Sequence, residues 1–371
     1  MRVLFVLEYF PPHIGGVETL FDNITKGLAE HGDDVTVLTS QIAGTPKHEI
    51  SAGRKIYRIS APSRISFISA YRTVGNFAKE ADVIHTTTYA GAIATWLANR
   101  SAKKPMIATF HEVLGKLFFS IENPIAAAAH YILESLICRA YRNDTLVCPS
   151  EATKRAMIEK GMKAENIHVI SHGIDHEAFN TAVKPSMKFD GPSYLCMGRA
   201  GVTKGIEYLV KAVPAVSEAV PGARLILMLS KKDNYKKIVS LVKQSAAEKN
   251  TVLLEPRKSA KEVAEVIRSC DTVVVPSLSE GFGFNAVEAQ ACGVPVVSTT
   301  AGSLPEVVKG GLTVPPRDSS AIAKAVAKIL KDKNLAKELG SRGSKFAKTF
   351  TWERSVKEHL RLYSKVSSGR Q

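Results

Sequence analysis

With 371 residues the chain is long enough for two domains that each bury a core of their own. An apolar fraction of 45% beside 23% charged residues excludes a disordered or fibrous chain. The formal charge of +15 is uneven, with 19 basic and 17 acidic side chains in residues 1–175 against 31 and 18 in residues 176–371, and no aromatic-basic platform or helix-turn-helix pattern turns that excess toward nucleic acid.

The first apolar run, residues 2–7, is too short for a signal peptide and has no small-residue cleavage site, so it reads as a strand. Further strands are predicted at 35–39, 56–59, 83–86, 106–110, 145–149 and 167–170, with amphipathic helical stretches separating most of them. Periodicity is then lost between Asp175 and Pro192, which places a domain boundary near 178/179. Strands resume at 193–197, 224–228, 252–254, 272–276, 294–298 and 312–314. This alternation predicts an α/β protein with two mostly parallel, doubly wound sheets. The longest apolar stretch, 125–138, is interrupted by His130 and Glu134 and is shorter than the roughly 20 residues that span a bilayer, so no transmembrane helix is expected. Five cysteines, Cys138, Cys148, Cys196, Cys270 and Cys292, have neither metal-ligand nor redox spacing and suit the reduced core of a cytoplasmic protein.

Ligands of open α/β sheets bind beyond the carboxyl ends of the strands. After the first strand, Gly15-Gly16 precedes a helix, where adjacent glycines let backbone close on a phosphate or sugar; a plain glycine turn is the alternative. His111 ends the fifth predicted strand, either as a satisfied polar residue or as a donor to a sugar hydroxyl. Arg199 and Lys204 flank the strand-to-helix turn that opens the second domain, as surface cations or as a fixed positive site for a diphosphate leaving group. Glu280 and Glu288 are separated by seven residues in Ser-Glu280-Gly-Phe-Gly-Phe-Asn-Ala-Val-Glu288, after the apolar strand ending at Pro276. Gly281 and Gly283 give a ligand room, and a helix starting near Phe284 or Asn285 presents N–H groups to anionic oxygens. No Asp-x-Asp pair, His/Cys cluster or Gly-x-Ser-x-Gly elbow is present, so neither a metal nor another cofactor is expected.

The run from Glu280 to Glu288, with its preceding strand and trailing Glu-Ala-Gln-Ala-Cys-Gly-Val-Pro-Val-Val, resembles the Glu-x7-Glu signature of the retaining glycosyltransferases of family 4, also called group 1. Gly15-Gly16, His111, Gly198-Arg199 with Lys204-Gly205, and Gly302-Ser-Leu-Pro-Glu306 fit the same family, so the resemblance spans nearly the whole chain. It departs at His172, where Asn is frequent, and at residues 230–235, where many members have a glycine-rich turn. The resemblance implies the GT-B fold: an acceptor-binding domain 1–178, a donor-binding domain 179–350 facing it across a cleft, and a helix in 351–371 crossing back to the first. It implies a metal-independent hexosyl transfer from a UDP- or GDP-linked sugar to an acceptor hydroxyl, with retention. Arg199 and Lys204 would hold the diphosphate, supported by the N–H groups of Gly15, Gly16 and the 281–285 turn including Phe282. Glu288 would take the ribose, Glu280 the transferred sugar, and His111 its C6 side. A sugar-nucleotide 2-epimerase and a non-catalytic sugar-nucleotide binder remain as alternatives. The 13 basic and 4 acidic residues of 319–371, and the apolar Leu117, Phe118, Phe119 and Ile121, allow an anionic membrane surface and a lipid-linked acceptor as partners; core packing is the alternative for the apolar group.

Overall fold

A computed structural model describes residues 1–13, 15–61 and 63–369; Ile14 of the glycine loop and the last two residues of the C-terminal segment lie outside the described residues. The chain divides into two units, Met1–Gly173 with Trp352–Gln371, and Ile174–Thr351.

Among the described residues the first unit has an eight-stranded sheet: β1 (Arg2–Val6), β2 (Asp34–Ser40), β3 (His48–Ser51), β4 (Arg54–Ile59), β5 (Val83–Thr87), β6 (Met106–Thr109), β7 (Thr145–Cys148) and β8 (Ile167–Val169). Its order is β3-β4-β2-β1-β5-β6-β7-β8, parallel except for β3. The second unit has β9 (Ser193–Arg199), β10 (Arg224–Ser230), β11 (Thr251–Leu254), β12 (Thr272–Val275), β13 (Val296–Thr299) and β14 (Gly311–Val314), all parallel, in the order β11-β10-β9-β12-β13-β14. Counted within each unit and setting the β3 hairpin aside, both orders begin 3-2-1-4-5-6, the doubly wound pattern whose switch point falls between β1 and β5 and between β9 and β12. Helices cover both faces, which is why a strand such as Thr272-Val-Val-Val is apolar without alternation and buried throughout.

Two expectations are corrected here, and the distribution of charge is refined. β3 was not expected; it is a largely exposed edge strand folded onto β4 through the two-residue turn Ala52-Gly53, both at positive φ. The boundary falls at 173/174 instead of 178/179, because Ile174 and Phe179 are buried in the second unit's core. The basic segment 319–371 is divided. Helices Ser319–Lys331 and Lys333–Ala347 belong to the second unit, while Trp352–Ser368 packs on the first through buried Leu362 and Tyr363. With that helix reassigned, the first unit holds 24 basic and 18 acidic residues and the second 26 and 17, so the charge is far more even than the linear sequence suggests.

The last helix is held on its unit by close packing and one polar anchor. Gly27 of the helix Gly16–Glu30 admits Val356, whose Cγ1 would lie 2.5 Å from a Cβ there. The Tyr363 hydroxyl meets His85 Nδ1, and His85 Nε2 meets Thr109 Oγ1 at 2.7 Å.

Candidate functional site

In the second unit the switch point is built by three loops stitched together, those after β9, β12 and β13. The backbone N–H of Leu278 donates to the Thr203 carbonyl at 2.7 Å, and that of Ser303 donates to the Glu280 carbonyl at 2.9 Å. Two glycines make this approach possible. At Gly205, φ is +60° and a Cβ would stand 2.2 Å from the Pro276 carbonyl oxygen; at Gly302, φ is +54° and a Cβ would stand 2.1 Å from the Glu280 carbonyl oxygen. No L side chain fits either position without moving backbone.

This frame brings Lys204 and Glu280 together. The ammonium donates to both carboxylate oxygens at 3.0 and 2.7 Å, and the Ser277 hydroxyl donates to Oε2 at 2.9 Å. The pair is partly buried, so each charge holds the other in place, and removal of one partner from such a pair costs up to about 3 kcal/mol. Arg199 ends β9 exposed, and its guanidinium has no partner among the described residues. Gly198 before it, at φ +110°, lies against the Asn285 amide, which donates to the Met197 carbonyl at 2.7 Å. Asn285 therefore ties the helix Phe284–Ala291 to the end of β9 with its side chain, leaving only its backbone for a ligand.

The Phe282 ring lies in the core. It is buried, edge-on to Phe284 at 4.9 Å and Phe350 at 5.5 Å, because an aromatic ring between two glycines gains more from the apolar interior than from the loop surface. Its backbone stays in the turn with Gly281 and Gly283, the latter at φ +93° where the helix begins. Glu288, one turn in, is half-buried, and its carboxylate has no hydrogen-bond or ion-pair partner among the described residues. Burial pushes its pKa up to about 7. A carboxylate in that state gains from hydroxyl donors delivered by a ligand.

The corresponding mouth of the first unit has different chemistry. Gly15 precedes the helix Gly16–Glu30, but the Glu18 carboxylate lies over it: a Cβ on Gly15 would be 2.3 Å from Glu18 Oε2. Glu18 also meets His13 Nδ1 at 2.8 Å, and the His13 ring stacks on Tyr9 at 4.6 Å. An acid already faces this helix N-terminus, so a diphosphate approaching Gly15 and Gly16 would meet a like charge. His111 Nε2 meets the Thr87 hydroxyl at 2.7 Å, and burial lowers the ring's pKa to about 4. It is neutral at neutral pH, suited to hydrogen bonding with a hydroxyl and unsuited to serve as a standing cation. Glu18, Ser277, Gly302 and Ser303 were not singled out for a role from sequence. The close glycine spacings and the acid three residues past Gly15 were the available signals.

Among the described residues no three His, Cys, Asp or Glu side chains converge as metal ligands.

The model of the family described as "Glycosyl transferases group 1" matches residues 181–346, and that of "Glycosyltransferase Family 4" matches residues 14–178. The chain is 27% identical over 382 residues to an uncharacterized glycosyltransferase of Methanocaldococcus jannaschii, covering 99% of each. It is 24% identical over 401 residues to the D-inositol 3-phosphate glycosyltransferase of Xylanimonas cellulosilytica, covering 96% of this chain and 93% of that one. Among solved structures it resembles sucrose-phosphate synthase from Thermosynechococcus elongatus, with a TM-score of 0.83, 22% identity and 99% of each chain covered. Anabaena HepE in complex with UDP-glucose matches with a TM-score of 0.78 and 20% identity, over 98% of this chain and 100% of that one. With both halves matched and two parallel-sheet units present, the chain belongs to the group 1, or family 4, glycosyltransferases and has the GT-B fold.

Proposed function

We propose that this protein is a retaining, metal-independent hexosyltransferase that moves a sugar from a UDP- or GDP-linked donor to the hydroxyl of a lipid-linked or membrane glycolipid acceptor, in glycan biosynthesis. The observation that carries the donor half is the Lys204–Glu280 pair beside the unpaired Arg199 guanidinium at the switch point of the second sheet. Breaking a sugar–phosphate bond places negative charge on the departing diphosphate, and two cations at this mouth stabilise it. In this reading they supply the charge that a divalent ion supplies in other transferases. Lys204 turns from Glu280 toward the diphosphate as the donor arrives, and the released Glu280 accepts hydroxyls of the transferred sugar. Glu288 accepts the ribose hydroxyls, and the first-turn N–H groups of the helix Phe284–Ala291 face the phosphate oxygens. HepE, solved with UDP-glucose, supports a nucleotide-sugar donor.

The first unit supplies the acceptor side. Neutral His111 bonds the transferred sugar, and the Gly15-Gly16 loop approaches sugar hydroxyls, with the Glu18 carboxylate in place of a phosphate. The departing phosphate accepts the acceptor's proton on the face it leaves, which retains configuration.

The experiment is thermal stabilisation against UDP-, GDP- and ADP-sugars in EDTA, repeated on Arg199→Ala and Lys204→Ala, then NMR of the product's anomeric configuration. A shift with one nucleotide, lost in both variants, with a retained anomer, is the expected result. Stabilisation that needs a divalent ion, or an inverted product, would overturn those parts of the proposal.

A further inference from the structure

Five of the twelve large apolar side chains exposed among the described residues lie within residues 119–136: Phe119, Ile125, Ile132, Leu133 and Leu136. They are concentrated on the helix Pro124–Tyr141 and the short turn before it. Ile125, Ala129, Ile132, Leu136 and Arg139 follow one another at spacings of four, three, four and three, which on an α-helix is a single stripe. The stripe faces outward. Ile125 is 84% exposed, Ile132 57% and Leu136 58%, while Ala127, Glu134, Ile137, Cys138 and Tyr141 turn into the unit. A surface helix normally carries polar residues on that face, and an exposed run of this kind marks an interaction surface.

Charge around the stripe selects the occupant. The helix Ala90–Ala102 packs beside it, with the Tyr141 hydroxyl donating to the Ala92 carbonyl at 2.6 Å. Across residues 90–104 and 124–143 the cations are Arg100, Lys103, Lys104, Arg139 and Arg142, all but Lys104 exposed. The same segments hold one acid, Glu134, which is buried and engaged by the N–H groups of Leu114 and Gly115 and by Lys160. Trp96, 36% exposed, lies under the Arg100 guanidinium, the amphipathic pairing favoured where apolar and charged phases meet. A second copy of the chain is a poor occupant, since pairing this face with itself would gather these cations with no exposed acid on either helix to receive them. Among the described residues no helix is long and apolar enough to cross a membrane, so insertion would be confined to the surface layer.

We infer that the outward face of the helix Pro124–Tyr141, with its flanking arginines and Trp96, docks the first unit on an anionic lipid surface, the aliphatic side chains entering the headgroup layer and the cations meeting the headgroups. This gives the lipid-borne acceptor of the proposed function a place to be met, but the surface itself is independent of that reading. The apolar features that the sequence offers for such docking are rearranged: Phe118 is buried, and the stripe lies further along, in the helix proper.

Flotation of the full chain with vesicles of phosphatidylcholine, alone or with about one-third phosphatidylglycerol, tests the inference. Binding to the anionic vesicles is expected to exceed binding to the neutral ones about tenfold or more, and to fall at about 0.5 M salt. Ile132→Ser/Leu136→Ser and, separately, Arg139→Gln/Arg142→Gln should each lower it several-fold with an unchanged melting temperature. Equal binding to both vesicle types, or variants that bind as the parent does, would overturn it. So would a parent that fails to float and runs as a dimer dissociated by Ile132→Ser/Leu136→Ser. The nucleotide-sugar stabilisation of the previous section uses no lipid, so failure here and failure there are read separately.

Discussion

The two sheets share a strand order and place their switch points after the first strand of each, yet the two mouths are opposite in chemistry. In the second unit the turn after β9 presents Arg199 and Lys204, and the acids there are either paired with a cation or protonatable near neutrality. In the first unit the helix after β1 presents its own carboxylate, Glu18, near its N-terminus, and His111, just past the end of β6, is kept neutral. On the proposed reading, one strand order thus serves an anion-binding mouth in the second unit and a hydroxyl-binding mouth in the first. The backbone sets where a ligand sits, and a handful of side chains set its charge. Histidine distribution sharpens the contrast: nine of the ten lie in the first unit, with His85, His172 and His359 fully buried beside His111.

The largest expected effects break the anion-binding end. Glu280→Gln should lower kcat by about 10²–10³ while changing nucleotide affinity only a few-fold, whereas Lys204→Ala should cost about tenfold or more in both. Steady-state kinetics with isothermal titration separate the two, and similar small effects would remove the pair from the site. Gly302→Ala comes next. Its positive φ and the 2.1 Å approach to the Glu280 carbonyl predict a loss of about 2–4 kcal/mol in stability together with activity, whereas Gly15→Ala, extended and opposed only by the end of the Glu18 side chain, should cost about 1 kcal/mol or less. Chemical denaturation of the two variants makes that comparison.

The two units should respond to pH with opposite signs. For buried histidines of the first unit, held below their ordinary value with His111 and His359 at about 4, stability is present above about 6.5 and is lost as pH falls toward 4. Glu288 in the second unit is raised from 4.5 to about 7, so its contribution is present below 4.5 and is lost as pH rises through 7. Hydrogen exchange followed unit by unit between pH 4 and 8 should show the first unit opening in acid while the second tightens. Glu288→Gln should flatten the second unit's response and stabilise the unliganded protein by about 1–3 kcal/mol above pH 7, and nucleotide affinity in the parent should rise with pH through 7. The smallest effect expected is Glu18→Gln, which should leave nucleotide affinity within about twofold while reducing turnover with the acceptor. A marked tightening of nucleotide binding would instead place the diphosphate at Gly15.

Thirteen of the fourteen strands among the described residues were legible because most of them are buried, so their apolar runs announce them. β3 was not, since an exposed edge strand of His-Glu-Ile-Ser carries little apolar signal and its turn uses Ala-Gly, a weak hairpin dipeptide. The pairing of Lys204 with Glu280 was equally invisible: the residues are 76 positions apart and meet only because Gly205 and Gly302 let three loops touch. The inward turn of the Phe282 ring was also invisible, since spacing does not say which way a ring points.

The sequence by itself determined the strand-helix alternation, the family, and the residues gathered near each strand mouth, because these depend on local periodicity and on motifs contiguous in the chain. Tertiary structure alone decided that Lys204 pairs with Glu280 through the approaches at Gly205 and Gly302, which way the Phe282 ring turns, and which apolar residues of 117–136 remain outside. Those outcomes depend on contacts between segments far apart in sequence, where packing and desolvation act and no local pattern records the result.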